Sequence, residues 1–220
     1  MRKVKIALGE YYHIYNRGNN KQETFLDTRD WIRFLFLIIY DQSSQIFYNL
    51  GRQVSHFVRH SVFNIDNNCL EKINKSRSVE LVSFALMPNH YHLLVRESSE
   101  NGISTYMQRV QNAYTKYFNT KYKKSGHLFQ GPFQVVHVKT NNQLLYLSAY
   151  IHRNPRDIAG WKTKEDKYPW SSYQDCAGFN RWNKLLEHQV LTKQFKNSNE
   201  YRIFIETNPA KKLAQELLLD

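Results

Sequence analysis

The stretch from Leu81 to Arg96 constrains the fold most. Leu81 to Met87 is an apolar run of strand length, Pro88-Asn89 makes a turn, and His90 to Arg96 alternates in character with a period of two. Two such runs joined by so short a turn form an antiparallel hairpin. A lone hairpin is barely stable in water, so the rest of the chain has to supply more strands or helices to cover it.

The flanking sequence offers both. Tyr11-Tyr12-His13-Ile14-Tyr15 is rich in β-formers and stops at the turn signal Asn16-Arg17-Gly18-Asn19-Asn20. Asp27-Thr28 offers a helix cap, and Trp31, Phe34, Leu35 and Ile38 recur at helical spacing to about Asp41. Residues 42–77 show no sustained period and read as an irregular or partly helical insertion. After Ser98-Ser99, the residues Ile103, Met107, Val110, Tyr114, Tyr117 and Phe118 give an amphipathic helix of about five turns. Phe133 to Val138 is a further strand. Gln143 to Arg153 is a helix closed by Asn154-Pro155, because the residue before proline avoids the α region. The order strand, helix, hairpin, helix, strand, helix has too few crossovers for a doubly wound parallel sheet. It predicts an α+β class, an antiparallel sheet with packed helices. One main domain is expected over 1–178, with a more polar, helical C-terminal extension over 179–220.

Composition narrows the partner. The 220 residues carry 31 Lys and Arg against 19 Asp and Glu, a formal charge of +12, which favours a polyanion and nucleic acid first. From Asn101 through Arg156 there is no Asp or Glu, while Arg109, Lys116, Lys121, Lys123, Lys124, Lys139, Arg153 and Arg156 fall in that window. Such a window is expected to face phosphates, with neighbouring aromatics available to stack unpaired bases, so single-stranded or hairpin DNA is the expected substrate. Two distant cysteines, Cys69 and Cys176, exclude a disulfide scaffold and a metal knuckle. No run approaches a membrane span, and the basic start lacks the apolar core of a signal peptide, so a cytoplasmic location is expected.

His90 and His92 flank Tyr91 on a strand, which sets both imidazoles on one face about 7 Å apart at the backbone, able to share one metal ion. Tyr91, Leu93 and Val95 then point to the core. An H-x-H pair specifies little by itself in a chain with nine histidines. Tyr150 and Asn154, four apart, lie on one side of the last core helix, at the edge of the stripe Leu144, Leu147 and Ile151. A tyrosine at such a boundary is ordinarily a packing residue with a wet hydroxyl. Tyr114, also in the acid-free window, sits in a core stripe, and His127, His137 and His152 are further metal candidates.

Taken in order, Met87-Pro88-Asn89-His90-Tyr91-His92-Leu93-Leu94-Val95, Gly126-His127-Leu128-Phe129-Gln130-Gly131 and Tyr150-Ile151-His152-Arg153-Asn154-Pro155 closely resemble the successive motifs of the REP-associated tyrosine transposases, relatives of the small insertion-sequence transposases. Tyr12-His13-Ile14-Tyr15-Asn16-Arg17-Gly18 and Tyr168-Pro169-Trp170-Ser171-Ser172-Tyr173 resemble the same family, so the likeness runs from about residue 10 to 175. It implies a ferredoxin-like HUH fold, His90 and His92 as metal ligands, Tyr150 as nucleophile, Asn154 as a third ligand or polar group of the metal site, and Arg17 among the DNA contacts. Insertion-sequence enzymes carry glutamine where this chain has Asn154, which with Pro155 favours the REP-associated branch. Two departures stand out: the segment 42–77 is long, and Gly131-Pro132-Phe133 replaces Gly-Arg-Phe, removing one phosphate contact.

The implied reaction suits these residues. A tyrosine phenolate, pKa about 10, attacks phosphorus and later leaves more readily than an alkoxide. The expected enzyme is a metal-dependent single-strand endonuclease and strand transferase working through a 5′-phosphotyrosine, with Mg²⁺ or Mn²⁺ in a partly hydrated octahedral site. No Walker-type phosphate loop is present, consistent with chemistry that uses no nucleoside triphosphate. Insertion-sequence relatives act as dimers and REP-associated ones can be monomers, so either state fits. Two rival readings remain: a DNA-binding module or repressor of this fold without catalysis, and a metal-dependent nuclease using activated water.

Overall fold

In a computed structural model, which describes residues 4–44 and 49–208, the expected hairpin forms as β2 (Val79–Met87) and β3 (His90–Glu97). β1 (Tyr11–Arg17) pairs antiparallel with the other side of β3, and β4 (Gln134–Val138) pairs antiparallel with β1, giving the order β2-β3-β1-β4. This is the antiparallel α+β arrangement read from the sequence. Helices cover both faces of the sheet.

On one face, Tyr12, Ile14, Tyr91, Leu93 and Val95 pack into a core with α1 (Thr28–Tyr40) and, further along the chain, the 21-residue helix Gly102–Tyr122. The first helix starts at Asp27 because its side chain accepts from the Asp30 amide while Asp30 reaches back to the Asp27 amide, a reciprocal capping box. The described part of 42–77 is partly helical, one of the two arrangements expected from the sequence. It holds α2 (Leu50–His60) and α3 (Asn67–Ser76), and Phe57 and Phe63 pack around Phe36 and the fully buried Trp182. The long helix, α4, is held at its start by the buried Glu97 carboxylate, which accepts from the Gly102 and Ile103 amides.

The opposite face is covered by α5 (Asn141–Arg153). Leu144, Leu147 and Ile151 pack against Ala85, Leu94 and Val138. Thr140 and Gln143 form a capping box, so Gln143 serves the helix start. Two one-turn helices, α6 (Tyr173–Cys176) and α7 (Gln189–Thr192), and then α8 (Ser198–Thr207) complete this layer. Tyr201 and Ile205 of α8 join the α5 core. His152 is the buried post between them: its ring nitrogens meet Ser172 Oγ at 2.9 Å and the Tyr201 hydroxyl at 3.1 Å, and burial lowers its pKa to about 3, so it stays neutral.

β2 would be an open edge, which invites unwanted pairing. Here the segment 168–187 closes it. The Leu86 amide donates to Trp170 O, the Ser172 amide to Phe84 O, the Phe84 amide to Ser172 Oγ, and the Glu187 amide to Leu81 O. Buried Gln42 ties the same edge to α1, donating to Ile39 O and Leu185 O while accepting from the Leu81 amide. Trp182, Leu185 and Leu186 belong to the α1 core, so the region after residue 178 is packed into the main body as far as residue 208; residues 209–220 of the expected extension lie outside the described residues. No helix among the described residues is long and apolar enough to cross a membrane.

Because Trp182 bridges α1, α2 and the C-terminal segment, Trp182→Ala is expected to cost about 3–5 kcal/mol. Urea unfolding should show one transition with a lowered midpoint; an unchanged midpoint would mean that the segment is only loosely attached.

Candidate active site

Strand register gathers the polar residues. β1 and β3 pair Tyr15 with His92 and Arg17 with His90, and His13 is opposite Leu94, diagonal to His92. The period of two therefore sets His13, Tyr15, Arg17, His90 and His92 on one face. The tight turn after Arg17 requires Gly18, where an added Cβ would come 2.2 Å from Gln22 O. Just beyond, the Gln130 amide donates to Arg17 O and brings the 128–131 loop alongside. These residues and Gln134 line a cleft of about 500 Å³, and Tyr150 of α5 forms its far wall.

The half-buried Tyr150 ring meets His92 edge-on, with centroids 5.3 Å apart. The His90 and His92 rings are perpendicular at 5.1 Å. Asn154, one turn beyond Tyr150, donates from Nδ2 to Tyr150 O at 2.9 Å, and its side chain lies near enough to His90 and the Tyr150 hydroxyl to shift the protonation of both. The strand pair and the tyrosine helix thus converge on one point. The Asn154 side chain is the link.

Electrostatics favour neutral imidazoles. Burial lowers the His90 pKa to about 4, with nearby Arg17 acting in the same direction, and drives His92 well below its usual value. Tyr150 is raised above 10, chiefly by burial; hydrogen bonding with Asn154 pulls it back down and Asp157 pushes it up. It is a neutral phenol at neutral pH, and among the side chains lining the cleft only Arg17 carries a formal charge.

A divalent ion can be tested against these atoms. His90 Nδ1 donates to Asn89 Oδ1 at 2.7 Å, and His92 Nδ1 shares a 2.9 Å hydrogen bond with His13 Nε2, which leaves Nε2 of both His90 and His92 as the ligating atoms. Among the described residues no group of three or more His, Cys, Asp or Glu side chains is arranged to hold a metal. Further oxygen donors near the two imidazoles are amide side chains, Asn154 next to His90 and Gln130 and Gln134 in the cleft lining. Two neutral imidazoles and an amide fit an ion that keeps water or substrate oxygen in its shell.

The other sequence candidates are dispersed. Tyr114 is fully buried and its hydroxyl donates to Thr24 O at 2.6 Å, so it is a core residue. His137 pairs with Glu10, His152 is the buried post described above, and His127 lines a separate groove beside α4. The acid-free window does not form one face, because α4 packs on the side of the sheet opposite the cleft. Lys121 pairs with Asp27 and Asp30, Arg109 donates to Asp41 O, Lys124 lies over Phe118, and Lys116 borders the α4 groove; Lys123 caps α4. Arg153, which donates to Asn208 O, and Arg156, which pairs with Glu165, flank Tyr150 and Asn154, and exposed Lys139 precedes α5. His13 escaped the sequence reading of the site. Its alternation with Tyr15 and Arg17 was visible, but its contact with His92 spans 79 residues.

Residues 53–154 match the model of the family described as transposase, IS200-like. That span holds His90, His92, Tyr150 and Asn154. A solved structure of a REP-associated tyrosine transposase bound to a REP hairpin shares the fold, with a TM-score of 0.51 and 15% identity, covering 80% of this chain and 82% of its own. A putative transposase from Deinococcus radiodurans R1 aligns at 13% identity over 70% of this chain and 97% of its own, with a TM-score of 0.33 too low to bear on the fold. No curated protein sequence matches. Over the hairpin and the tyrosine helix the chain is thus similar to the IS200-like transposases, and the antiparallel fold around them is shared with the REP-associated structure.

Proposed function

We propose that this protein cuts and rejoins single-stranded or hairpin DNA, with Tyr150 as the nucleophile and a 5′-phosphotyrosine as the intermediate. The observation that carries the reading is the convergence of Tyr150, His90 and His92 on one cleft, with Asn154 beside Tyr150 one helical turn on. The similarly folded neighbour is bound to a REP hairpin, which supports a hairpin ligand and the REP-associated branch.

In the proposed step the Tyr150 Oη–P bond forms as the P–O3′ bond breaks. The phenol loses a proton and the departing 3′ oxygen gains one, so no net proton is consumed. The reverse reaction, with another 3′-OH as attacker, rejoins the strand. Asn154 orients the phenol and eases its deprotonation, while Arg17, at the end of β1, neutralises phosphate charge. His90, His92 and Asn154 would hold Mg²⁺ or Mn²⁺, which when bound supplies Lewis-acid stabilisation of charge developing on the phosphate. Arg153 and Arg156, beside Tyr150, and Lys139 are the nearer phosphate contacts; Lys116, Lys123 and Lys124 can serve only DNA that reaches the other face.

The deciding test incubates the protein with labelled hairpin DNA from the flanks of its own gene and Mn²⁺ or Mg²⁺, followed by a denaturing gel. A covalent adduct is expected with wild type and absent with Tyr150→Phe or chelator. Cleavage surviving in Tyr150→Phe would point to a water-activated nuclease, and salt-dependent binding without cleavage to a non-catalytic module. Arg17→Ala should lower the cleavage rate by about 100-fold, as loss of one preorganised donor to a developing charge does. An unaltered rate would remove Arg17 from the reaction.

A further inference from the structure

We infer that His13 is a positioning residue that sets the tautomer and orientation of His92 for ligation; the inference rests on the metal reading above. His13 lines the same cleft, and its ring meets Tyr150 edge-on with centroids 6.1 Å apart. It acts through the 2.9 Å hydrogen bond between its Nε2 and His92 Nδ1.

The two rings are stacked, with centroids 5.1 Å apart and planes 18° from parallel, and both are more than nine-tenths buried. Rings buried this deeply are treated as neutral imidazoles, because a buried imidazolium would forfeit its hydration. Two neutral imidazoles joined in this way share one proton in either of two tautomer pairs. If His13 donates, the His92 proton sits on Nε2 and that atom cannot bind a cation. If His92 Nδ1–H donates, its Nε2 carries a lone pair towards the cleft. Only the second pair is competent.

His90 has the same arrangement through Asn89 Oδ1, which can only accept and so fixes the His90 proton on Nδ1. His92 lacks such a one-way partner; His13 is the acceptor available to it. A second observation bears on this. His13 Nδ1 is buried with no hydrogen-bond partner. In the competent pair that atom carries the remaining proton, a buried N–H without an acceptor, which is an unfavourable arrangement. The polar ring is nonetheless kept at the centre of the sheet, where an aromatic hydrocarbon would fit without that penalty. Its packing alone does not account for it. Partners of this kind fix ring orientation and raise ligand basicity.

The test measures Mn²⁺ binding by the resonance signal of the free aquo ion, on the full-length protein without DNA, so that activity is not the readout. His13→Phe keeps the ring and removes the acceptor; His13→Gln restores an acceptor oxygen near the place of Nε2. Loss of this outer partner is expected to weaken Mn²⁺ binding by roughly 10–100-fold in His13→Phe. His13→Gln should recover most of that loss, with circular dichroism and unfolding midpoints confirming that both variants are folded. Wild-type affinity in His13→Phe, or a His13→Gln variant as weak as His13→Phe, would overturn the role of His13 while leaving the metal site intact. Wild-type protein that takes up no Mn²⁺, with His92→Ala no different, would remove the metal reading and this inference together.

Discussion

The antiparallel register between β1 and β3 is the constraint on which the site depends. A slip of one residue would exchange every side chain between the faces of the sheet, sending Tyr12 and Ile14 into the cleft and His13, Tyr15 and Arg17 into the α1–α4 core. The apolar residues hold the register. Tyr12, Ile14, Tyr91, Leu93 and Val95 all need the same dry side, and the polar residues between them are carried to the other side as a consequence. The cleft is thus the by-product of a strongly specified core.

That central pairing also explains why so much of the chain is devoted to support. α5 must reach the sheet at one height for Tyr150 to meet His92, and three separate segments fix it: Leu94 and Val138 beneath it, the Ser172 hydroxyl beside His152, and Tyr201 of α8 above. The segment 168–187 closes the β2 edge while holding that helix. One stretch therefore protects against edge pairing and positions the tyrosine. Rigid elements carry His90, His92 and Tyr150, which suits the proposed reaction, whose geometry has to be held to a fraction of an ångström.

The basic character of the protein is less focused than its composition suggests. Lys121 is tied to Asp27 and Asp30, with Tyr117 and Tyr122 also donating to the buried Asp30, and so it reinforces the start of α1. Arg17, by contrast, lies outside the acid-free window and is the charged side chain in the lining of the His90–His92–Tyr150 cleft. Position on the sheet outranks local density of charge.

Periodicity alone located the hairpin, the side of β3 that carries His90 and His92, and the helix side shared by Tyr150 and Asn154, because each depends on neighbours two to four residues away. Motif order supplied the resemblance to a transposase family, again from local strings. For 42–77 the sequence allowed a partly helical segment without placing its helices, because their apolar faces are short and gain meaning only against Phe36 and Trp182. The split of the basic window, the integration of residues 179–208 into the core and the His13–His92 pair were likewise decided by tertiary structure. Each arises from contacts across tens of residues, which are set by which apolar faces meet and which no local period encodes.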